Sequence, residues 1–407
     1  MNDSKALLNA AQRTADWMVA NQITDRLNAN KGRGLGTYVK DTGYERLTAN
    51  WETGCLCMCL LAMYRRTGKE IYLQRAELAG RYIMSLQIMD SREKRYYGAI
   101  REITPQSLEF CPRDATTAAW GLVWLYNATK NPLYLDRATL FGDWHMTYGM
   151  YEGWPLHGMI MDGAFTDRYA KGPFQSGTGL FYYDLFMASG DCRYIQNGMK
   201  PIAQNYRDYF FREDGSIIQQ RDIFTNKEPP SHAGQEGVQY QMHEFNDDFG
   251  NAMLQTAADL FDDESYREKA YLYTRWLASV QDEDGGFLNG QAPSGIPIAL
   301  MYFDELGARC SDDELLAARE KALKKVLSMQ RAETGDAKLE GGFRGHCPET
   351  NVEGAADRSV NMRTTQYALI ALLKLESDLG GFWLSRHNEL FTDPLERNKE
   401  APYRFVW

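Results

Sequence analysis

A helix–turn–helix unit that recurs along the chain constrains the fold more than any other feature of the sequence. The two clearest copies read YRRTGKEIYLQRA at 64–76 and YNATKNPLYLDRA at 126–138. Weaker copies follow at 188–194 and 260–270. A tyrosine marks the second helix of each unit, with a period of roughly 60–70 residues, which suits a pair of helices and their loops. These tyrosines are Tyr72, Tyr134, Tyr194 and Tyr266.

The helical segments are of two kinds that alternate along the chain. One kind is apolar around its whole circumference, as in a buried helix, and the other has a charged face, as in a half-exposed helix. The first kind covers about 50–65, 114–127, 175–188, 247–261, 293–306 and 361–376. The second kind covers about 4–21, 69–87, 132–148, 192–211, 263–281 and 312–330. The alternation predicts an all-α (α/α)6 barrel, or toroid, whose six inner and six outer helices form a single domain over 1–407.

Composition argues against several classes of protein. The chain has 407 residues, of which 44% are hydrophobic and 25% charged, as in ordinary globular proteins. Its formal net charge of −10 disfavours nucleic-acid binding, which needs clustered lysine and arginine. No run of about 18 apolar residues occurs, so we expect no membrane span. The sequence leaves a homodimer open.

Cysteine usage and the N-terminal residues predict a cytoplasmic protein without a metal or another cofactor. The seven cysteines are odd in number, and no signal-peptide core precedes them. Cys55, Cys57 and Cys59 resemble a metal cluster in their spacing. Residues two apart on a helix point in different directions, however, so we favour small buried side chains. Common zinc and nucleotide motifs are absent from the sequence.

The long connections predict where a functional site lies. Segments such as 149–174 and 212–246 lead from outer to inner helices and are rich in tryptophan, tyrosine, histidine and glycine. Long loops of this kind in a compact domain are usually functional or disordered, and this composition favours function. Because they all enter the inner helices at their N-termini, we predict the site on that face of the barrel.

Carboxylates stand at the start of several inner helices, namely Glu52, Asp114, Asp247 and Asp248. One interpretation is capping, since such residues satisfy unpaired N–H groups and contribute about 1 kcal/mol each. The other is catalysis, because carboxylates that converge in a semi-buried site can act as acid and base on a glycosidic bond. His243, close before the two aspartates, is a candidate general base or a structural hydrogen-bonding residue.

Aromatic and cationic residues near these carboxylates are candidates for substrate binding. The segment 152–169 combines rings for stacking on a sugar with polar groups for its hydroxyls. Arg358 and Arg363 flank the start of the last inner helix, where they either clamp an anionic group or pair with nearby carboxylates. The predicted substrate-binding residues are Trp51, Arg113, Trp154, His157, Tyr169, Gln175, Arg358 and Arg363.

The first hairpin is similar to the entry hairpin of the six-hairpin glycosidases. The segments NWETG at 50–54 and TGKEIY at 67–72 resemble the Asn-Trp-x-x-Gly segment and the later Thr-Gly turn of unsaturated glucuronyl and rhamnogalacturonyl hydrolases. The resemblance implies carbohydrate processing, with Asp114, Asp247 or Asp248 as the acid. We therefore predict a glycoside hydrolase whose partner is a short, uronate-containing oligosaccharide.

Other activities on a similar architecture stay open. A lyase would use Tyr169 and His243 as acid and base. A sugar epimerase of the N-acylglucosamine 2-epimerase type would use paired histidines, here His243 and His346. A toroid that binds sugars without catalysis is the non-enzymatic alternative.

One further element is similar to the repeated glutamine–glycine element of terpenoid cyclases and prenyltransferases. It reads QDEDGGF at 281–287 and is echoed at 87–98 and 330–343. This element ties the end of a helix to its turn, so we interpret it as structural. The acidic motif of those cyclases is absent from the sequence.

Overall fold

Twelve α-helices in two sets of six dominate the part of the chain that the structure describes. The structure is a computed structural model, and it describes residues 4–161, 170–228, 242–332, 334–345 and 359–377. The outer helices are α1 (Ser4–Ala20), α3 (Glu70–Leu86), α5 (Pro132–Tyr148), α7 (Lys200–Tyr209), α9 (Glu264–Ser279) and α11 (Asp313–Met329). The inner helices are α2 (Asn50–Thr67), α4 (Pro112–Thr129), α6 (Thr178–Ser189), α8 (Gly250–Phe261), α10 (Gly295–Cys310) and α12 (Met362–Ser377).

Burial separates the two sets as the hydrophobic pattern predicts, and the (α/α)6 toroid is confirmed. Helix α4 is buried without interruption over 115–125, whereas α5 buries one face that includes Tyr134, Ala138 and Phe141. Spacings of three and four residues place those three side chains on one side of the helix. The marker tyrosines of the repeat are all buried, so each anchors its outer helix against the inner ring.

The first and last helices meet and close the ring. Helix α1 packs against α12, and α12 also contacts α2. Arg66 at the end of α2 donates to Glu376 at the end of α12 at 2.6 Å. On the outer ring, the Nε2 atom of Gln330 donates at 2.9 Å to the hydroxyl of Thr14 and to the carbonyl of Ala10. The sixth hairpin of the toroid therefore combines the two ends of the described chain.

The glutamine–glycine element fastens neighbouring outer helices together. In each copy a glutamine after an outer helix donates to a glycine carbonyl in its own loop and to a carbonyl of the next outer helix. This is the structural role that the sequence predicts. The pairs are Gln22 with Gly32 and Arg75, Gln87 with Gly98 and Arg137, Gln281 with Gly285 and Ala318, and Gln330 with Gly341 and Ala10.

Short strands order the loops on the face where the inner helices begin. They are β1 (Leu35–Val39), β2 (Tyr44–Leu47), β3 (Glu109–Phe110), β4 (Met150–Tyr151), β5 (Trp154–Pro155), β6 (Met159–Ile160), β7 (Ala170–Lys171), β8 (Arg221–Asp222) and β9 (Ser359–Asn361). Strand β1 lies between β2 and β9, and the pairs β3–β6, β4–β5 and β7–β8 are antiparallel. Because β9 runs directly into α12, its pairing with β1 fixes where α12 starts.

Several helices begin later than the sequence pattern predicts, and two of these late starts, those of α7 and α8, have a clear local cause. A π-helical turn over Tyr194–Met199 precedes α7, close to Pro201, which has no N–H for the regular helical ladder. Helix α8 begins at Gly250 because Asp248 and Phe249 have positive φ angles of 46° and 77°, which a right-handed helix does not allow. The pair of aspartates that the pattern assigned to the helix therefore lies in the loop before it.

Close packing of α2 explains two features of its sequence. A side chain at Gly54 would overlap the backbone carbonyl of Thr117, so glycine allows α2 and α4 to approach closely. Cys55, Cys57 and Cys59, the buried thiols of α2, are 0–1% exposed and fill space in the core, as expected. Within the described residues, none of the helices combines the length and the apolar character needed to cross a membrane.

Candidate active site

Side chains from the starts of four inner helices meet on the loop-covered face. The guanidinium of Arg363 lies over the ring of Trp51, 4.7 Å from its centre. One carboxylate oxygen of Asp248 is 3.6 Å from Arg113 and 3.9 Å from Arg363. The sequence-predicted residues of α2, α4 and α12 therefore converge on the aspartate that precedes α8. We refer to these four residues as the Asp248 cluster.

Asp248 is held as an ionised carboxylate. Its Oδ1 atom accepts a hydrogen bond from the hydroxyl of Tyr367 at 2.8 Å. Burial acts to raise its pKa, but the positive charges of Arg363 and Arg113, with smaller contributions from its other neighbours, hold the pKa below the usual value. Asp248 and the next residue, Phe249, both have positive φ angles, which is uncommon outside glycine and most unusual for the bulky Phe249, and such conformations concentrate at functional sites.

Asp114 forms a second carboxyl centre in the first turn of α4, together with Glu102 from the preceding loop. The two carboxyl groups are hydrogen-bonded to each other. Burial, followed by the charge of Asp114, raises the pKa of Glu102 well above its usual value. Burial also raises the pKa of Asp114, although the charges of Arg113 and Arg363 and the hydrogen bond with Glu102 act in the opposite direction. This centre therefore keeps a proton under conditions in which Asp248 has lost its own.

The same centre contains the group of potential metal ligands that is found among the described residues. The ligand atoms of Glu102, Cys111 and Asp114 lie within 4.8 Å of one another. Burial raises the pKa of the Cys111 thiol well above its usual value, which disfavours the thiolate that metals bind. The hydrogen bond between the two carboxyl groups accounts for their closeness, and we assign no metal to them.

Asp247 lies behind the site, in the wall of the barrel, and is fully buried. Tyr302 donates to its Oδ1 atom at 2.6 Å, while Tyr206 and the backbone N–H of Asn251 donate to its Oδ2 atom at 2.8 and 2.7 Å. Burial raises its pKa to about 6, although the three donors act in the opposite direction. These bonds use both carboxylate oxygens and connect Asp247 to α7, α8 and α10.

The carboxylate of Glu52 caps the start of its own helix, α2, and pairs with an arginine. Its carboxylate forms a two-pronged ion pair with Arg46, both distances being 2.7 Å, and accepts from the backbone N–H of Ala49 at 2.8 Å. This is the capping and pairing alternative that the sequence allowed. The side chain is buried, and these bonds use both of its carboxylate oxygens.

Two histidines flank Phe174 beside the Asp248 cluster. The ring centre of Phe174 is 4.6 Å from that of His243 and 5.2 Å from that of His157. The Nδ1 atom of His243 donates to the carbonyl of Asn246 at 3.2 Å. Burial lowers the pKa of His243 to about 4, so the imidazole is neutral at physiological pH and its Nε2 atom is a hydrogen-bond acceptor.

Trp154 and Gln175 support the site from the core. Trp154 is fully buried, stacks on Phe210 with ring centres 4.8 Å apart, and donates to Gln175 at 3.1 Å. Gln175 is also fully buried and donates to the carbonyl of Pro155 at 2.5 Å. The two residues thus fasten the 154–155 strand to the segment before α6, and in this structure neither has a surface on which a sugar could lie.

Two other predicted site residues, Tyr169 and Arg358, lie outside the described residues, and so does His346.

Comparisons with known proteins find similar structures but no relatives by sequence. No protein-family profile and no curated protein matches the chain. Cellobiose 2-epimerase from Bacillus thermoamylovorans B4167 superposes with a TM-score of 0.70 at 13% identity, over 91% of this chain and 100% of the other. The unsaturated glucuronyl hydrolase of Bacillus sp. GL1 superposes with a TM-score of 0.66 at 16% identity, over 94% and 100%.

A third similar structure is an α-1,6-mannanase of Salegentibacter sp. HEL1_6, with a TM-score of 0.58 at 14% identity, over 92% of this chain and 99% of the other. The chain shares the (α/α)6 toroid fold of these three structures. At these identities the likeness describes the fold alone, so the chemistry of the site follows from the residues of this chain.

The sequence did not predict three residues of the candidate active site. Tyr367 lies one helical turn after Arg363 and therefore on the same face of α12, a spacing that could have identified it. Glu102 and Phe174 lie in loops without a recognisable motif, where only the folded chain brings them to Asp114 and Arg113. Arg113 donates to the carbonyl of Phe174 at 2.6 Å, which fixes this loop to α4.

Proposed function

We propose that this protein is a carbohydrate-active enzyme that hydrolyses a glycosidic bond. The observation that carries the proposal is the separation of two carboxyl environments. Desolvation raises the pKa of both carboxyl groups of the half-buried Glu102–Asp114 centre, whereas Arg363 and Arg113 hold the pKa of Asp248 below its usual value. Glycoside hydrolysis uses one carboxylic acid and one carboxylate in this way.

The roles follow from what each side chain contacts. Asp114 would donate a proton to the leaving oxygen, and Asp248 would act as the carboxylate partner that activates water or attacks the sugar. The half-buried ring of Trp51 would stack on a sugar ring. Arg363, whose guanidinium lies over that ring, would pair with the carboxylate of a uronate, and this contact favours an acidic oligosaccharide as substrate.

The structural neighbours are consistent with this proposal. They include carbohydrate hydrolases and epimerases, and one is the glucuronyl hydrolase described as responsible for the degradation of glycosaminoglycan.

A product assay on uronate-containing and neutral oligosaccharides tests the proposal. New reducing ends without a conjugated uronate double bond would indicate hydrolysis, and formation of that double bond would indicate a lyase. We expect Asp114→Asn and Asp248→Asn each to lower kcat by roughly 10²–10⁴-fold. Asp136→Asn on the exposed face of α5 is the matched control and should leave kcat unchanged. Full activity in both site variants would refute the assignment.

Epimerisation is the second candidate, and the neutral His243 favours it. Its Nε2 atom is an acceptor beside Phe174, as a base that abstracts a proton from a sugar carbon would need to be. An epimerase would convert a sugar without bond cleavage and would incorporate solvent deuterium at the isomerised carbon. His243→Asn would abolish that exchange, whereas a hydrolase with the roles given above would show none in either protein.

A further inference from the structure

The Glu102 side chain is oriented by its surroundings before it meets Asp114. Its backbone carbonyl accepts from the N–H of Asn50 at 3.0 Å, which joins the loop to the start of α2. Its Oε2 atom accepts from the N–H of Cys111 at 3.2 Å and from the side chain of Asn50 at 3.3 Å. These donors fix the plane of the carboxyl group, whose oxygen lies within 4.8 Å of a carboxyl oxygen of Asp114, and a hydrogen bond links the two groups.

A hydrogen bond between two carboxyl groups requires a proton. An ionised carboxylate has only acceptor atoms, so two ionised groups cannot bond to each other. Their mutual repulsion also opposes a second ionisation, because the groups are adjacent and partly shielded from water. The geometry of Glu102 and Asp114 is therefore that of a pair with a single negative charge.

We propose that Glu102 is a positioning residue that keeps one proton on the Glu102–Asp114 pair and so maintains Asp114 as a proton donor at mildly alkaline pH. The shared proton follows from the contacts of the pair, and its use in bond cleavage rests on the proposed function. Burial and the neighbouring carboxyl act in the same direction on Glu102. The other charged or titratable groups that face the pair are Glu109, Cys111, Arg113, Asp248 and Arg363.

Glu102→Gln tests this role because the amide keeps the size and a donor but cannot hold the shared proton. Asp114 then has no ionisable neighbour in the pair and receives a permanent hydrogen bond, so its pKa falls. We expect the alkaline limb of the kcat/KM profile to move to lower pH by about one unit or more. A merely structural role would lower kcat/KM by the same factor at all pH values, and that result would overturn the proposal.

Infrared spectroscopy measures the proton without any substrate. At mildly alkaline pH, where Asp247 is ionised, the native protein should show the C=O stretch of a protonated carboxyl that Glu102→Gln lacks. Glu93→Gln, in the same loop but exposed, is the matched control and should keep the band. A band that persists in Glu102→Gln would overturn the proposal.

The spectroscopic result also separates this inference from the proposed function. If no oligosaccharide is cleaved but the band behaves as expected, the shared proton stands and the hydrolase assignment falls. If Glu102→Gln does not fold, a pH titration of the band in the native protein replaces it. A native protein without a protonated-carboxyl band at mildly alkaline pH would then overturn the inference.

Discussion

Asp247 should make the free energy of unfolding depend on pH, and the substitution Asp247→Asn should remove this dependence. It is fully buried among Tyr206, Tyr302 and the N–H of Asn251, with no cation among these hydrogen-bond partners. Its pKa is raised from the usual 3.8 to about 6, first by burial. Because the folded protein holds this proton more tightly than the unfolded chain, the contribution of Asp247 to the free energy of unfolding is fully present below about pH 4 and is lost as the pH rises through about 6.

The size of the effect follows from the two pKa values. A difference of about two units corresponds to ~3 kcal/mol in the free energy of unfolding, most of it lost between about pH 4 and pH 7. Asp247→Asn cannot ionise and has no such loss. At low pH the variant should be within about 1 kcal/mol of the native protein, because the amide, like the protonated carboxyl, has one oxygen that can accept from the N–H of Asn251 and one donor that can face a tyrosine hydroxyl. As the pH rises through about 6, the native protein should lose unfolding free energy relative to the variant.

Urea denaturation followed by circular dichroism at a series of pH values measures this, provided that refolding is reversible. The quantity to compare is the difference in unfolding free energy between the native protein and Asp247→Asn, because Asp248 and other titrating groups are common to both and cancel. Asp136→Asn removes the same charge from an exposed position and should follow the native curve. Parallel curves for the native protein and Asp247→Asn from about pH 4 to pH 8 would refute the reasoning.

The other predictions separate supporting residues from accessible ones. Trp154→Ala should lower the unfolding free energy by about 3–5 kcal/mol in chemical denaturation, since it empties a core position, and a loss below about 1 kcal/mol would contradict this packing. Trp51→Ala should leave most of the stability but weaken oligosaccharide binding in calorimetry, and unchanged affinity would argue against stacking on this ring. Among the described cysteines, exposed Cys192 and Cys310 should react with a thiol reagent in the native state, as peptide mass spectrometry would show, whereas the buried thiols of α2 should react only after denaturation.

The sequence predicted the ring of helices because burial and helical period act over many residues at once. The segment 132–148 was predicted to the residue, and most other helices within a few residues. The start of α8 was not, because Asp248 and Phe249 adopt a backbone conformation that their side chains disfavour and that only the packed site imposes. A local sequence pattern cannot predict a strained backbone conformation that is stabilised by contacts with distant parts of the fold.

For the site, the sequence indicated the correct face but not the partners of each residue. Arg113, Asp248 and Arg363 meet because inner helices begin on the same face. Trp154 lies in a glycine-rich segment that resembles a sugar platform, yet its ring turns inward to the core. Glu102 is paired with Asp114 by loop packing, for which the sequence contains no periodic signal.

Closure of the ring by α1 and α12 has a consequence for how the chain folds. The hydroxyl of Ser4 and the carboxylate of Glu376 are 3.1 Å apart in space but 372 residues apart in sequence. The other hairpins combine helices that are close in sequence, whereas this contact is among the most non-local that the described chain makes, and such contacts form slowly. During synthesis the part of the apolar face of α1 that packs against α12 stays uncovered until α12 has emerged. The nascent chain therefore has to keep this face from aggregating while the intervening hairpins are made.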